Sequence, residues 1–99
     1  MAEKTMNITV TGAIFEWRGP APFLFVAIPE EVSSDIKALS RLVSYGWGVI
    51  PVTARIGNTT WTTSLFPKNG RYLIPIKVVV QKAEHVGAGD VVEVEVHIG

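Results

Sequence analysis

The chain has no cysteine among its 99 residues. That removes a disulfide framework, a thiol nucleophile and any cysteine-built metal site. A small domain without disulfides also fits a reducing compartment better than an oxidising one. The sequence has no surplus of charge either, since nine Lys and Arg balance nine Asp and Glu. A neutral balance disfavours a bare electrostatic grip on nucleic acid. No apolar run reaches the about 20 residues that a membrane-spanning helix needs. After Met1-Ala2-Glu3-Lys4 the chain alternates apolar residues with threonine, instead of forming the continuous apolar stretch of a leader. The sequence therefore predicts a soluble, cytoplasmic protein with no membrane partner.

What is present is apolar and β-branched. Hydrophobic residues make up 47% of the chain, which with a mean hydropathy of +0.31 excludes a disordered tail. Residues 1–6 read as a flexible start and 7–99 as a single domain. Period-two alternation predicts a half-buried strand over Asn7–Phe15, ended by the stiff loop Arg18-Gly19-Pro20-Ala21-Pro22. The apolar run Phe23–Ile28 reads as a strand buried on both faces. Glu30 and Glu31 suit a first helical turn, with Ser33 and Ser34 as alternative caps. Helical spacing of Ile36, Leu39 and Val43 then predicts a helix over Ser34–Ser44, stopped by Gly46 and Gly48.

Gly57-Asn58 between two β-branched runs is a two-residue hairpin signal. It sets the register in advance: Ile56 opposite Thr59, Ala54 opposite Trp61, Val52 opposite Thr63 and Ile50 opposite Leu65. The other face then carries Arg55 with Thr60, Thr53 with Thr62, and Pro51 with Ser64. A turn at Pro67–Gly70 leads to a short strand, Arg71–Ile74. Ile76–Glu84 has the composition of a strand, but Ile76, Val79, Val80 and Ala83 recur at helical spacing after Pro75, so a short helix is predicted. Gly87–Asp90 reads as a strand-entry turn in which Asp90 bonds nearby backbone. Val92, Val94, Val96 and Ile98 complete the cleanest strand. The sum is a mainly β chain, a small six-stranded barrel with one clear helix and one short helix.

No residue pattern demands catalysis. Ser64 has no nucleophile elbow around it and no histidine at a recognisable spacing. Glu93, Glu95 and His97 share an outer strand face, which a solvated surface explains without a metal. No catalytic residue, metal or cofactor is assigned. The hydroxyl-rich face with Arg55 is the best ligand candidate, with Arg55 as an anion clamp and Thr62 and Ser64 as donors. Lys77 joins it as a second cation. Trp61 is placed inward by the hairpin register. Trp17, expected in a loop, and Trp47, between glycines, are candidate interface residues.

From Tyr45 to His97 the order of residues resembles a family of small bacterial and archaeal β-barrel proteins, a domain of unknown function numbered nineteen-oh-five. The likeness rests on Pro51-Val52-Thr53-Ala54-Arg55-Ile56-Gly57, Thr63-Ser64-Leu65-Phe66-Pro67, Gly70-Arg71-Tyr72-Leu73-Ile74-Pro75, Lys77, Lys82-Ala83 and Gly89-Asp90. Gln81 stands where a basic residue is expected. The resemblance implies a double-split type of barrel, akin in fold to swapped-hairpin regulators, and a dimer; it implies no established activity.

Burial points to a homodimer independently. A 99-residue barrel hides limited apolar surface, and open strand edges close by pairing across a two-fold axis. The expected function is a non-catalytic binding or interaction module acting as a homodimer on a small-molecule or protein ligand. One alternative is a small-molecule-processing enzyme using Arg55, Ser64 and Lys77. Another is a DNA-binding barrel with a local patch of Arg55, Lys68, Arg71, Lys77 and Lys82.

Overall fold

The computed structural model describes residues 5–18, 22–43 and 50–99, without the side chains of residues 18, 22 and 40–43. The elements run β1 (Met6–Ala13), β2 (Phe15–Arg18), β3 (Pro22–Ala27), α1 (Glu30–Val43), β4 (Ile50–Ile56), β5 (Thr59–Lys68), β6 (Arg71–Pro75), α2 (Val78–Glu84) and β7 (Val91–Ile98). The strands form one antiparallel sheet in the order β1-β7-β4-β5-β6-β3-β2. Its two end strands are separated in sequence by Ile14 alone, so the sheet curls round into a half-barrel. The class is mainly β, as expected. Of the expected flexible start, Met6 already belongs to β1, and residues 1–4 lie outside those described.

Two tight turns fix the middle of the sheet. At Gly57-Asn58 only Gly57 has a positive φ, 55°, the pattern of a II′ hairpin. The β4–β5 register is the one that a two-residue turn dictates, from Ile56 opposite Thr59 to Ile50 opposite Leu65. At Asn69-Gly70 both residues have positive φ, 51° and 80°, which is a I′ turn. It lets β5 run on through Pro67 to Lys68, two residues beyond the expected end.

Seven strands stand where six were expected. The additional one arises at Ile14, where the backbone leaves the β1 ladder. Ile14 N–H donates to the Asp90 carbonyl at 2.8 Å, and the Ile14 carbonyl accepts from Gly89 N–H at 2.8 Å. The chain beyond this corner pairs with β3 instead of β7, with Phe15 opposite Phe25 and Trp17 opposite Phe23. Trp17 is therefore a strand residue and not a loop residue. Gly12 leaves room for the curl, because a Cβ there would sit 3.3 Å from Val26 Cγ1. Residues 19–21 of the expected stiff loop lie outside the described residues, as do Gly46, Trp47 and Gly48.

The core fills the concave side. Val10, Val26, Ile28, Ile50, Val52, Leu65, Ile74, Val94, Val96 and Ile98 are buried there, with Trp61 and Tyr72 as its aromatic members. Burying each aliphatic side chain stabilises the fold by about 1.5–3 kcal/mol. Trp61 keeps its polar end satisfied by donating Nε1–H to the Pro75 carbonyl at 3.2 Å.

Both helices differ from expectation in detail. α1 begins at Glu30, because the Pro29 carbonyl already accepts from Ser33 N–H at 2.8 Å. Ser33 is thus no cap. It is buried, its Oγ donates to the Ile28 carbonyl at 3.1 Å, and it accepts from Tyr72 N–H at 3.0 Å. Ile28 N–H donates directly to the Tyr72 carbonyl at 2.8 Å. The Ser33 hydroxyl therefore occupies the missing return rung of that ladder. The short second helix forms, as the spacing predicts, but from Val78 with Lys77 as its N-cap. Only Ile76 and Val80 of its supposed inner line are buried; Val79 and Ala83 face solvent. The packed line is Ile76, Val80, Glu84, one residue per turn. Glu84 is partly buried there and accepts from the Thr59 hydroxyl.

Candidate functional site

The hairpin β2–β3 presents alternate residues to opposite sides. Leu24, Val26 and Ile28 turn inward. Phe15, Trp17, Phe23 and Phe25 turn outward, where Phe66 of β5 joins them. Phe25 is the hub, with ring centroids 6.2 Å from Phe15, 5.9 Å from Trp17, 6.4 Å from Phe23 and 6.5 Å from Phe66. These separations lie within the range of favourable edge and tilted ring contacts. Phe25 is only 4% exposed, yet it stands outside the main core, sheltered by rings that are themselves open to solvent: Trp17 at 43% and Phe23 at 59%. All four phenylalanines of the chain are in this cluster, and none belongs to the main core cluster, although Phe25 is itself buried. The expectation that Phe23–Ile28 is buried on both faces is corrected here, because the second face is covered only in part.

Between these rings and the start of α2 lies a groove of about 1160 Å³. Trp17, Phe23, Phe25 and Phe66 form one wall, and Ile76, Lys77, Val78 and Gln81 the other. Thr62, Thr63 and Ser64 line it from β5. The Gln81 side chain donates to the Ile76 carbonyl at 2.8 Å, which holds the second wall in shape. At the rim, Lys68 places Nζ 3.6 Å from the Trp17 ring centroid. Such a cation–π contact contributes about 0.5–1 kcal/mol at an exposed site.

Of the six residues singled out in the sequence, Trp17, Thr62, Ser64 and Lys77 thus share one groove. Arg55 does not. It lies about 13 Å along the ladder from the Pro51–Ser64 pair, four residues at 3.3 Å each. There it belongs to a separate, smaller hollow of about 330 Å³ with Asn7, Thr9, Thr53, Thr60, Glu95 and His97. Its guanidinium is engaged by the Glu95 carboxylate and the Gly57 carbonyl. Arg55, Ser64 and Lys77 therefore form no common constellation. Trp47 lies outside the described residues.

The other suggested patterns have local partners. His97 Nδ1 meets the Asn7 side-chain oxygen, and Glu95 pairs with Arg55. Among the described residues no cluster of three or more potential metal ligands occurs. Asp90 accepts from Gly87 N–H at 2.8 Å, the turn role read from the sequence. Arg71 Nε donates to the Ile28 carbonyl at 3.1 Å. Among the described residues no helix is long and apolar enough to cross a membrane.

The aromatic wall was only partly legible in the sequence. Its signal was the repeated aromatic-x-aromatic spacing, Phe15-x-Trp17 and Phe23-x-Phe25, on two strands joined by a short connection. Phe66 carries no local signal and arrives through the β5–β6 hairpin.

No curated protein matches the chain. Residues 11–96 match the family model described as Domain of unknown function (DUF1905), which spans the half-barrel from β1 to β7 and takes in the whole groove. By that match, which covers most of its length, the chain belongs to the DUF1905 family.

Proposed function

We propose that this protein is a non-catalytic binding module and that the groove beside α2 is its working surface. One observation carries the reading: every phenylalanine of the chain is spent on an outer cluster apart from the main core, and three of the four rings are exposed. Exposed apolar surface of this kind lowers solubility and is retained where it meets something. The groove, at about 1160 Å³, lies just above the range of about 300–1,000 Å³ typical of small-molecule pockets and has the usual mixture of apolar walls and a few polar groups. The experiment is an amide chemical-shift titration with N-phenyl-1-naphthylamine, a neutral aromatic probe. Shifts confined to Ser64, Val78, Gln81 and the β2–β3 hairpin support the reading. Unshifted spectra at probe saturation would sink it.

The module works as a homodimer in this reading. β2 ends the sheet, and its outer edge, between the exposed rings of Phe15 and Trp17, offers backbone groups to a second copy. Sedimentation equilibrium decides this separately. A monomeric mass up to about 100 µM places any dimer free energy weaker than about −5.5 kcal/mol and removes the dimer.

A further inference from the structure

We propose that the ligand of this groove is an apolar carboxylate or comparable organic anion, its ring or chain body against the aromatic wall and its charge beside Lys77. This rests on the groove being the binding surface. The aromatic rings supply broad, flat apolar contact, and the one charged side chain among them, Glu16, is already partnered. The polar groups on the opposite side are what select the ligand, and their sign is positive.

Lys77 lines the groove and is exposed, and its ammonium makes no hydrogen bond or ion pair among the described residues. The other cation at the rim, Lys68, already lies over the Trp17 ring. Among the described residues the one carboxylate lining the groove, Glu16, has a partner of its own. A charge left unpaired at the edge of an apolar cleft is cheaply satisfied by a ligand anion, because the neighbouring rings exclude water from one side of the contact. The hydroxyls of Thr62 and Ser64 add neutral donors along β5. Arg55, whose guanidinium is held by Glu95, contributes nothing here.

The test compares two probes with one ring system: N-phenyl-1-naphthylamine and its sulfonate, 8-anilinonaphthalene-1-sulfonate. Both are titrated by fluorescence against the full chain and against Lys77→Gln and Phe23→Ser. Urea curves verify that each variant is folded. Lys77→Gln is expected to weaken the sulfonate about tenfold, the loss of one charge-assisted hydrogen bond, and to leave the neutral probe within about twofold. Phe23→Ser is expected to weaken both. If the neutral probe binds and Lys77→Gln changes neither affinity, or both equally, the anionic ligand is ruled out while the binding groove stands. If neither probe binds the native chain, or Phe23→Ser leaves both unaffected, the groove reading falls together with it.

Discussion

The two sides of the curled sheet are built from different side chains. The concave side is packed with valine, isoleucine and leucine, with Trp61 and Tyr72 added where an indole N–H or a backbone rung finds a partner. The outer side at the β2–β3 end is packed with rings that leave each other half open. Aliphatic β-branched residues interlock on a pleated surface and hold one arrangement. Rings at 6 Å spacing shelter one another without closing the surface. The concave side therefore decides the fold, and the outer side decides what the fold meets.

This contrast can be broken from either direction. Leu65→Ala, at a fully buried core position, should cost about 3–4 kcal/mol and lower the urea midpoint by roughly 2 M. A loss below about 1 kcal/mol in equilibrium unfolding would mean that the concave side is not the core that holds the fold. Ser33→Ala removes the hydroxyl that completes the β3–β6 ladder. It leaves the Tyr72 amide without its acceptor and should cost about 2 kcal/mol, with faster hydrogen exchange at that amide. Phe23→Ala, on the outer side, should change stability by less than about 1 kcal/mol while weakening binding of the neutral naphthylamine probe. Stability loss equal to that of Leu65→Ala would erase the distinction between the two sides. Arg55→Gln breaks an ion pair whose partners are both about half exposed. Its effect should be the smallest, at most about 0.5 kcal/mol, and should vanish in high salt.

The sequence was most informative where a turn or a strict period constrains geometry. Gly57-Asn58 fixed the register of seven residue pairs, and Val92-x-Val94-x-Val96-x-Ile98 fixed the inner face of β7. It was less informative where a tertiary neighbour decides. Helical spacing identified α2, yet assigned Val79 inward, because the spacing cannot say which side of a helix of about two turns meets β5. The corner at Ile14 was invisible because its alternation does not break; only the hydrogen bonds to Asp90 and Gly89 divert the chain. The groove needed both kinds of information. Thr62 and Ser64 are legible as one strand face, Lys77 and Trp17 only as separate residues, and the fold brings the four together. Arg55 was chosen with the hydroxyls because it shares their face, but its distance along the strand and its pairing with Glu95 separate it from them.

The corner at Ile14 also sets a timetable. The strand on its amino side finds its partner in β7, where Met6 stands opposite Ile98. The strand on its carboxyl side finds its partner a few residues away, where Phe15 stands opposite Phe25. One continuous stretch thus takes part in one of the most local pairings of the sheet and in its most distant one. The local hairpin can form in microseconds, whereas closing the distant ladder waits for the rest of the sheet and places overall folding in the slower range of about milliseconds to seconds. On a growing chain the aromatic hairpin is available long before the residues of β7 exist, and its rings stand open while the far edge of the sheet still waits for its partner.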